Sequence, residues 1–278
     1  MKEPLVTVLI TAYNGNKYIN EAIDSALNQN YQNLEVLIVD DGSEPPAKNN
    51  INRIDDSNVR YIYMEHKGLP HGLIKGVEEA KGEYIAVLDQ DDVLTDDSIS
   101  KRAEALRQDK TLGFVYGNIN YINEEGNIYL SQYFKHFEFS EDFIKALLVS
   151  LIGPLKHSGI MFRKECINDV GNYDPNLPAE FDNDLIIKIA KKYDFKQIND
   201  IVVNYRTHTN NTSSLANHRA EGLKHKLTLI EKYSDSTIEK IKYDIGATII
   251  CFAKILYERF SSKKPKILFD LAGVGKPS

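Results

Sequence analysis

The stretch AVLDQDDVLTDD, residues 86–97, joins a short apolar run to a crowded group of acids. Asp89, Asp91 and Asp92 follow directly on Ala86-Val87-Leu88, which is typical of a buried strand. Carboxylates this close repel one another and raise each other's pKa values. A chain that ends a buried strand in this way therefore needs solvent or a positive partner to relieve the repulsion.

The composition is that of a globular chain. Its 278 residues are 42% hydrophobic and 27% charged, which suits one large domain or one domain with an extension. The net charge of −6 argues against a nucleic-acid partner, because phosphate backbones require clustered Lys and Arg. Cys166 and Cys251 lie in no C-x-x-C pattern, so a structural zinc or disulfide framework is not expected. No signal peptide or run of about 20 apolar residues is visible, so we expect a cytoplasmic protein.

The first half of the chain alternates between strand and helix patterns. We predict strands at 5–11, 34–39, 59–64, 84–88 and 113–121, with helices at 16–29, 70–80 and 96–108. Alternation at this spacing predicts right-handed crossovers and a mainly parallel sheet. The second half is less regular, with helices at 140–151 and 180–192, strands at 158–162 and 198–205, and a Lys-rich helical region from 216 to about 261.

Polar clusters follow three of the predicted parallel strands. They are Thr11-Ala12-Tyr13-Asn14, Asp40-Asp41-Gly42-Ser43 and Asp89-Gln90-Asp91-Asp92. Ligands of such sheets bind beyond the carboxyl ends of the strands, so all three clusters should meet at one site. The chain has no G-x-G-x-x-G after the first strand, no P-loop and no G-x-S-x-G, which argues against dinucleotide, P-loop and nucleophile-elbow sites.

The acids after the fourth strand have two interpretations. Asp89 and Asp91 are two residues apart and point the same way in extended chain, which suits a hard divalent cation. Acids after a strand also favour the start of the next helix, and we assign Asp96 and Asp97 to that role. Asp40-Asp41 is either an ordinary turn or an acceptor of a hydrogen bond from a base or sugar.

Four motifs together resemble a known family. TAYN, VDDGS, AKGEYIAVLDQDD and VGNYDP, the last followed by EFDNDLIIKIA, are similar to the inverting glycosyltransferases of family 2. The resemblance is strong over about residues 4–130 and looser to about 210. It implies the α/β GT-A fold, a Rossmann-like, mainly parallel central sheet flanked by helices. We expect a transferase domain at 1–215, with a nucleotide-sugar half to about 112 and an acceptor half from 113, and a C-terminal helical extension with a basic tail at 216–278.

The resemblance also implies a nucleotide-sugar donor, most often UDP-linked, and Mn²⁺ or Mg²⁺. The family DxD corresponds to Asp89 near ribose and metal and Asp91 as main metal ligand, with Asp92 in reserve. His208, in a late R-x-H segment, is either a further metal ligand or a solvated loop histidine. Leu73 and Ile74 replace the usual Arg-Asn, so a donor contact would come from Lys67, His71 or Lys75, or would be missing. The remaining residues expected to contact the nucleotide sugar are Thr11, Ala12, Tyr13, Asn14, Asp40, Asp41 and Gln90.

An inverting transfer needs a carboxylate that takes the proton of the acceptor hydroxyl. In this family the base is the Asp of an E-D pair just before a helix, and here the stretch reads Ala179-Glu180-Phe181-Asp182-Asn183-Asp184-Leu185. Alignment on Leu185 makes Asp182 the predicted base, with Asp184 as the alternative and Glu180 third. All three acids could instead only line a helix start.

The sequence thus predicts an inverting, metal-dependent glycosyltransferase that acts on a saccharide or lipid-linked saccharide in surface polysaccharide synthesis. A non-catalytic nucleotide- or carbohydrate-binding protein of the same fold stays open because the E-D pair is broken. A nucleotidyltransferase would want a Gly-rich, basic loop after the first strand, where only Gly15 and Lys17 occur. Lys263, Lys264 and Lys266 beside Ile267-Leu268-Phe269 suggest peripheral contact with the inner face of a membrane. The C-terminal helices could also pair two copies as a homodimer.

Overall fold

The computed structural model describes residues 3–15, 17–149, 154–177, 179–208 and 219–260. Its strands are β1 (Val6–Ala12), β2 (Leu34–Asp41), β3 (Val59–Met64), β4 (Tyr84–Asp89), β5 (Val93–Leu94), β6 (Leu112–Ile122), β7 (Ile128–Gln132), β8 (Ile160–Arg163) and β9 (Asp194–Arg206). Its α-helices are α1 (Ile19–Leu27), α2 (Leu69–Glu79), α3 (Ser98–Gln108), α4 (Ser140–Val149), α5 (Lys164–Asp169), α6 (Phe181–Ala190), α7 (Arg219–Tyr233) and α8 (Thr237–Phe260).

All strands belong to one sheet with the order β3-β2-β1-β4-β8-β6-β9-β5, and β7 pairs with β6. The four strands from β3 to β4 are parallel. β8 then runs antiparallel to both β4 and β6, while β9 is parallel to β6. The predicted parallel α/β sheet is therefore confirmed in the first half, and the second half is mixed. The sequence analysis did not predict β5, β7 or α5.

The central strands form because their side chains are apolar in consecutive positions. Every residue of β1 and of β2 is buried, as expected for strands covered on both faces. Helix α1 buries Ile19, Ala22, Ile23 and Ala26, which lie on one face at helical spacing. Helix α2 approaches β1 so closely that a Cβ at Gly76 would lie 2.3 Å from Leu9 Cδ1. Any larger residue at this position would therefore require the buried Leu9 side chain to move.

The strand register brings the predicted polar clusters together. Thr11 pairs with Asp89, and Ala12 pairs with Asp40, across neighbouring parallel strands. Asp41 pairs with Met64 at the end of β3, so the loop after β3 joins the same edge. The predicted position of these clusters at one carboxyl edge of the sheet is therefore confirmed, and their role as one binding site stays a prediction.

Helices α7 and α8 pack on the sheet domain through α4 and α6. Lys226 of α7 pairs with Glu180, and Gly246 of α8 lies against Val149 of α4. The opposite face of α8 exposes Ile241, Ile245 and Ile249. A membrane surface or a second copy could cover this stripe, and both stay predictions. The domain boundary near 215 and the lysines at 263, 264 and 266 lie outside the described residues. Within the described part of the chain, no helix combines the length and apolar character that a membrane span requires.

Candidate active site

The acids after β4 form a tight loop, residues 89–92, which we call the acid loop. The Asp92 amide donates a hydrogen bond to the Asp89 carbonyl at 3.1 Å, which closes the turn. Asp92 is buried, and its carboxylate accepts hydrogen bonds from Ser158 Oγ at 2.6 Å and the Arg206 amide at 2.8 Å. The Asp89 amide donates to the same Ser158 Oγ at 3.1 Å. Asp92, which the sequence suggested as a reserve ligand, is thus a support of the loop.

The acid loop concentrates negative charge that its surroundings do not fully neutralise. Burial, then the charge of Asp91, raises the pKa of Asp89 to about 7. Burial, then Asp89 and Asp91, raises the pKa of Asp92 well above its usual range. His208 Nε2 lies 2.8 Å from Asp91 Oδ2, and both side chains are partly exposed. The structure therefore pairs two of the predicted metal ligands, Asp91 and His208, and places Asp89 near enough to Asp91 for the two charges to interact.

The oxygen atoms of this loop suit a divalent cation whose coordination shell is completed by oxygens of a substrate. No group of three or more His, Cys, Asp or Glu side chains in the described residues is arranged to hold a metal ion by itself. Mg²⁺ and Mn²⁺ sites often use only one or two carboxylates and complete the shell with phosphate and water oxygens. Crowded carboxylates with a raised pKa at Asp89 fit such a shared site.

The two acids that end β2 support neighbouring loops. Asp40 is fully buried and accepts hydrogen bonds from the Ser43 amide at 2.9 Å, the Ala47 amide at 2.7 Å and the Tyr61 hydroxyl. Burial by itself would raise the pKa of Asp40, but hydrogen bonds from Ser43, Tyr61 and Ala47 lower it on balance. In this arrangement both carboxylate oxygens are occupied within the protein, and contact with a base stays a prediction.

Asp41 organises the loop that follows β3. Its carboxylate accepts hydrogen bonds from the Lys67 and Gly68 amides, both at 2.8 Å, and lies 2.9 Å from His66 Nδ1. The His66 ring stacks on Tyr13 with a centroid separation of 4.0 Å. The Lys67 side chain is exposed, and its predicted donor contact stays a prediction. The sequence analysis missed His66, although the carboxyl end of the third strand marks this loop by the rule used for the other strands.

The loop after β1 is tied to both neighbouring loops. The Tyr13 amide donates to Gln90 Oε1 at 3.2 Å, and Gln90 Nε2 donates to the Tyr13 carbonyl at 3.3 Å. The Asn14 amide donates to Ser43 Oγ at 2.9 Å, and Asn14 has a positive φ of 47°. The predicted nucleotide-sugar residues 11–14, 40–41 and 89–90 therefore form one continuous edge.

The three candidate bases at the start of α6 have different surroundings. Asp184 is fully buried and enclosed by Lys188 at 2.9 Å, Lys232 at 2.7 Å and the Tyr233 hydroxyl at 2.6 Å. Asp182 is partly exposed, and its charge contributes to the raised pKa of Asp89.

Glu180 is also buried, and Lys226 Nζ and Asn183 Nδ2 donate to its Oε2 at 2.6 and 2.7 Å. Of the three acids, only Asp182 is partly exposed, and its role as the base stays a prediction.

Ser158 and His157 link the acid loop to α6. His157 Nε2 lies 3.0 Å from the Tyr173 hydroxyl, and its ring contacts Phe181 edge to face at a centroid distance of 5.9 Å. Burial lowers the pKa of His157, although Asp182 acts in the opposite direction. This contact holds the residue before Asp182 close to the segment that carries Ser158.

The sequence model of the family described as "Glycosyl transferase family 2" matches residues 7–171, which is more than half of the chain. The chain belongs to this family. It is 31% identical over 242 residues to the chondroitin synthase of Escherichia coli, covering 86% of this chain and 34% of that protein. It is 32% identical over 212 residues to the hyaluronan synthase of Pasteurella multocida, covering 76% and 21%. The family 2 chain thus spans about a third or less of these relatives.

Solved structures share the fold at lower sequence identity. S. aureus TarS 1-349 in complex with UDP-GlcNAc aligns over 96% of this chain and 78% of its own, with a TM-score of 0.67 and 16% identity. The mannosyltransferase PcManGT from Pyrobaculum calidifontis, in complex with GDP-Man and Mn²⁺, aligns over 98% and 80% with a TM-score of 0.65 and 19% identity. These similarities confirm the expected GT-A fold of this family 2 chain.

Proposed function

We propose that the chain transfers a sugar, with inversion, from a nucleotide-diphosphate donor to a hydroxyl of a saccharide or lipid-linked saccharide, and that it requires a divalent metal. One observation carries the proposal: carboxylates crowd the end of β4 next to Asp182, and burial, followed by repulsion from Asp91, raises the pKa of Asp89 to about 7. A divalent cation that arrives with a diphosphate would relieve that repulsion. The family and its synthase relatives support a saccharide acceptor.

Each part of the site would have a separate task. Asp89 and Asp91, with His208 beside Asp91, would share Mn²⁺ or Mg²⁺ with oxygens of the diphosphate, and the metal would supply positive charge against the charge of the leaving group. The edge that contains Tyr13, Asp41 and His66 would contact the nucleoside, and the exposed face of Tyr13 offers a stacking surface. Asp182 would take the proton of the acceptor hydroxyl from the other side of the sugar. We favour uridine in the donor because the TarS neighbour binds UDP-GlcNAc, although the PcManGT neighbour binds GDP-Man.

The test is calorimetric titration of UDP, GDP, CDP and dTDP, each with and without Mn²⁺, into the native chain and into Asp91→Asn. We expect one nucleotide to bind only with Mn²⁺ and to lose at least about tenfold in affinity in the variant, which corresponds to about 1.4 kcal/mol. The matched control is Asp96→Asn, which removes an exposed carboxylate from the same stretch.

The control variant should bind like the native chain. The absence of binding for all four nucleotides, or equal binding by Asp91→Asn, would contradict the donor assignment. Metal-dependent binding that is followed by no sugar transfer with any acceptor would instead favour the non-catalytic alternative.

A further inference from the structure

Arg206, at the end of β9, is an almost fully buried arginine that contacts three separate segments of the chain. Its amide donates to Asp92 Oδ1 at 2.8 Å, and its Nε donates to the Asp91 carbonyl at 2.9 Å. Its Nη1 donates to the Glu124 carbonyl at 3.0 Å, in the turn between β6 and β7. Its Nη2 pairs with Glu21 Oε2 of α1 at 2.5 Å.

The ring of Tyr18 closes the remaining side of the guanidinium, whose carbon lies 4.4 Å from the ring centroid. The Tyr18 ring also lies 5.4 Å from the ring of His208, the candidate ligand that follows Arg206 in sequence. Arg206 therefore connects the two predicted ligand positions, because it binds the main chain of Asp91 on one side and shares Tyr18 with His208 on the other.

The acid loop requires such a connection because its own charges oppose its closed shape. Three carboxylates lie within four residues, and that of Asp92 is buried, so repulsion between like charges favours an open loop. Arginine stays charged and has five donors in a planar fork, so it can hold several carbonyl groups in fixed directions while its charge offsets the repulsion.

We propose that Arg206 is a positioning residue of the metal site: it fixes the acid loop so that Asp91 and His208 face the same point. The proposal rests on the proposed function, since it assigns the fixed geometry to the binding of a metal and a nucleotide diphosphate. Arg206 itself acts through the main chain of Asp91 and the carboxylate of Asp92.

The chain offers a matched control in Arg163 of β8. Its guanidinium is also buried and also caps main-chain carbonyls, with Nε donating to Leu112 at 3.2 Å and Nη2 donating to Leu106 at 2.8 Å. These carbonyls belong to the ends of β6 and α3 and not to the acid loop. Arg163→Lys therefore reproduces the loss of a buried fork without touching the candidate site.

The experiment compares Arg206→Lys with Arg163→Lys, because lysine keeps the charge but cannot reproduce the fork. The first readout is the calorimetric affinity for Mn²⁺ in the presence of UDP. We expect Arg206→Lys to lose about tenfold or more, as for a lost hydrogen bond to a charged group, and Arg163→Lys to stay near the native value. The second readout is hydrogen exchange of peptides covering residues 89–94, which we expect to be faster in Arg206→Lys alone.

A milder variant keeps every contact of the acid loop in place. Glu21→Gln removes the carboxylate that pairs with Arg206 Nη2 and alters no residue of the loop. It should change the Mn²⁺ affinity and the hydrogen exchange of residues 89–94 in the same direction as Arg206→Lys does, but by a smaller amount. This variant keeps the proposal testable if Arg206→Lys does not fold.

The outcomes separate this inference from the proposed function. Native affinity and native exchange in Arg206→Lys would overturn the positioning role, and so would an equal change in Arg163→Lys, because the effect would then be a general loss of stability. If the native chain binds no Mn²⁺–UDP at all, the proposed function fails. The exchange of residues 89–94 then decides the positioning role by itself.

Discussion

The protein contains two groups of buried or half-buried acids that differ in how their charge is balanced. In the acid loop, burial and a neighbouring carboxylate raise the pKa of Asp89 to about 7. Around α6, Asp184 lies within 3 Å of Lys188 and Lys232, and Glu180 pairs with Lys226. Both groups are negative side chains at element ends, and the second has lysine partners from α6 itself and from α7.

The difference separates a structural role from a binding role. A buried acid with a lysine partner satisfies its charge within the fold, and removal of either partner leaves an uncompensated charge. Acids that repel one another lower the stability of the closed loop, and a divalent cation would add to the charge of Arg206 in relieving that repulsion. The lysine-paired acids join α6 to α7, whereas we expect the acid loop to bind a cation. Variants in each group test this distinction between a structural role and a binding role.

The largest effect should come from Asp182→Asn, which removes the candidate base and keeps its size. We expect the rate of sugar transfer to fall by about 10²–10⁴, the usual contribution of a general base. Metal-dependent nucleotide binding should remain, because Asp182 lies in α6 and not in the acid loop. Transfer rates and nucleotide affinities of the purified variant give both values.

Asp184→Asn is the matched comparison two residues along the same helix. This change leaves Lys188 and Lys232 without their buried partner, so it should lower the free energy of unfolding and spare the transfer rate of the folded fraction. The reverse pattern, with transfer lost in Asp184→Asn and kept in Asp182→Asn, would assign the base to the other acid.

The second-largest effect should be a loss of folding stability in Lys226→Met. Lys226→Met removes the buried cation that donates to Glu180 at 2.6 Å and to the Leu147 carbonyl at 3.1 Å. Breaking one partner of a buried pair typically costs about 3–5 kcal/mol, and we expect the lower end because Glu180 can take up a proton. Denaturant unfolding of the variant measures the change.

The control is Lys224→Met on the same helix, where the side chain is exposed. Surface changes of this kind usually stay within about 0.5 kcal/mol. Equal losses in the two variants would mean that α7 contributes little through its pair with Glu180, and the proposed contrast between the acid groups would then fail.

Local patterns predicted the parts of the molecule that depend on nearby residues. The apolar runs of β1, β2 and β4 and the spacing of Ile19, Ala22, Ile23 and Ala26 in α1 are read directly from the sequence. The sheet-edge rule then placed residues 11–14, 40–41 and 89–92 together, because parallel strands end on the same side. Family resemblance added Asp182 and His208, which these patterns do not distinguish from other acids and histidines.

Long-range pairing could not be predicted in the same way. β5 has two residues and exists because Val93 pairs with Asn204, more than 100 positions away. Thr95, which lies before α3, donates to the Ile201 carbonyl for the same reason. The role of Arg206 depends on that pairing, since it brings the end of β9 beside Asp92. An isolated arginine in a sequence does not show which carbonyls it will bind.

The smallest effect is a pH dependence that originates at His157, between the two groups of acids. Its ring faces the Tyr173 hydroxyl and Phe181, and burial lowers its pKa below the usual 6.5 while Asp182 partly opposes this. The unfolded chain therefore binds the proton first as pH falls below about 6.5, so the free energy of unfolding decreases there.

His157→Gln cannot titrate, and the stability of the native chain relative to this variant should fall between pH 7.5 and pH 5. Denaturant unfolding at several pH values measures this slope, and His136→Gln, at an exposed site, should leave it unchanged. A slope of opposite sign would mean that Asp182 outweighs burial at His157, and Asp182 would then belong with the paired acids of α6.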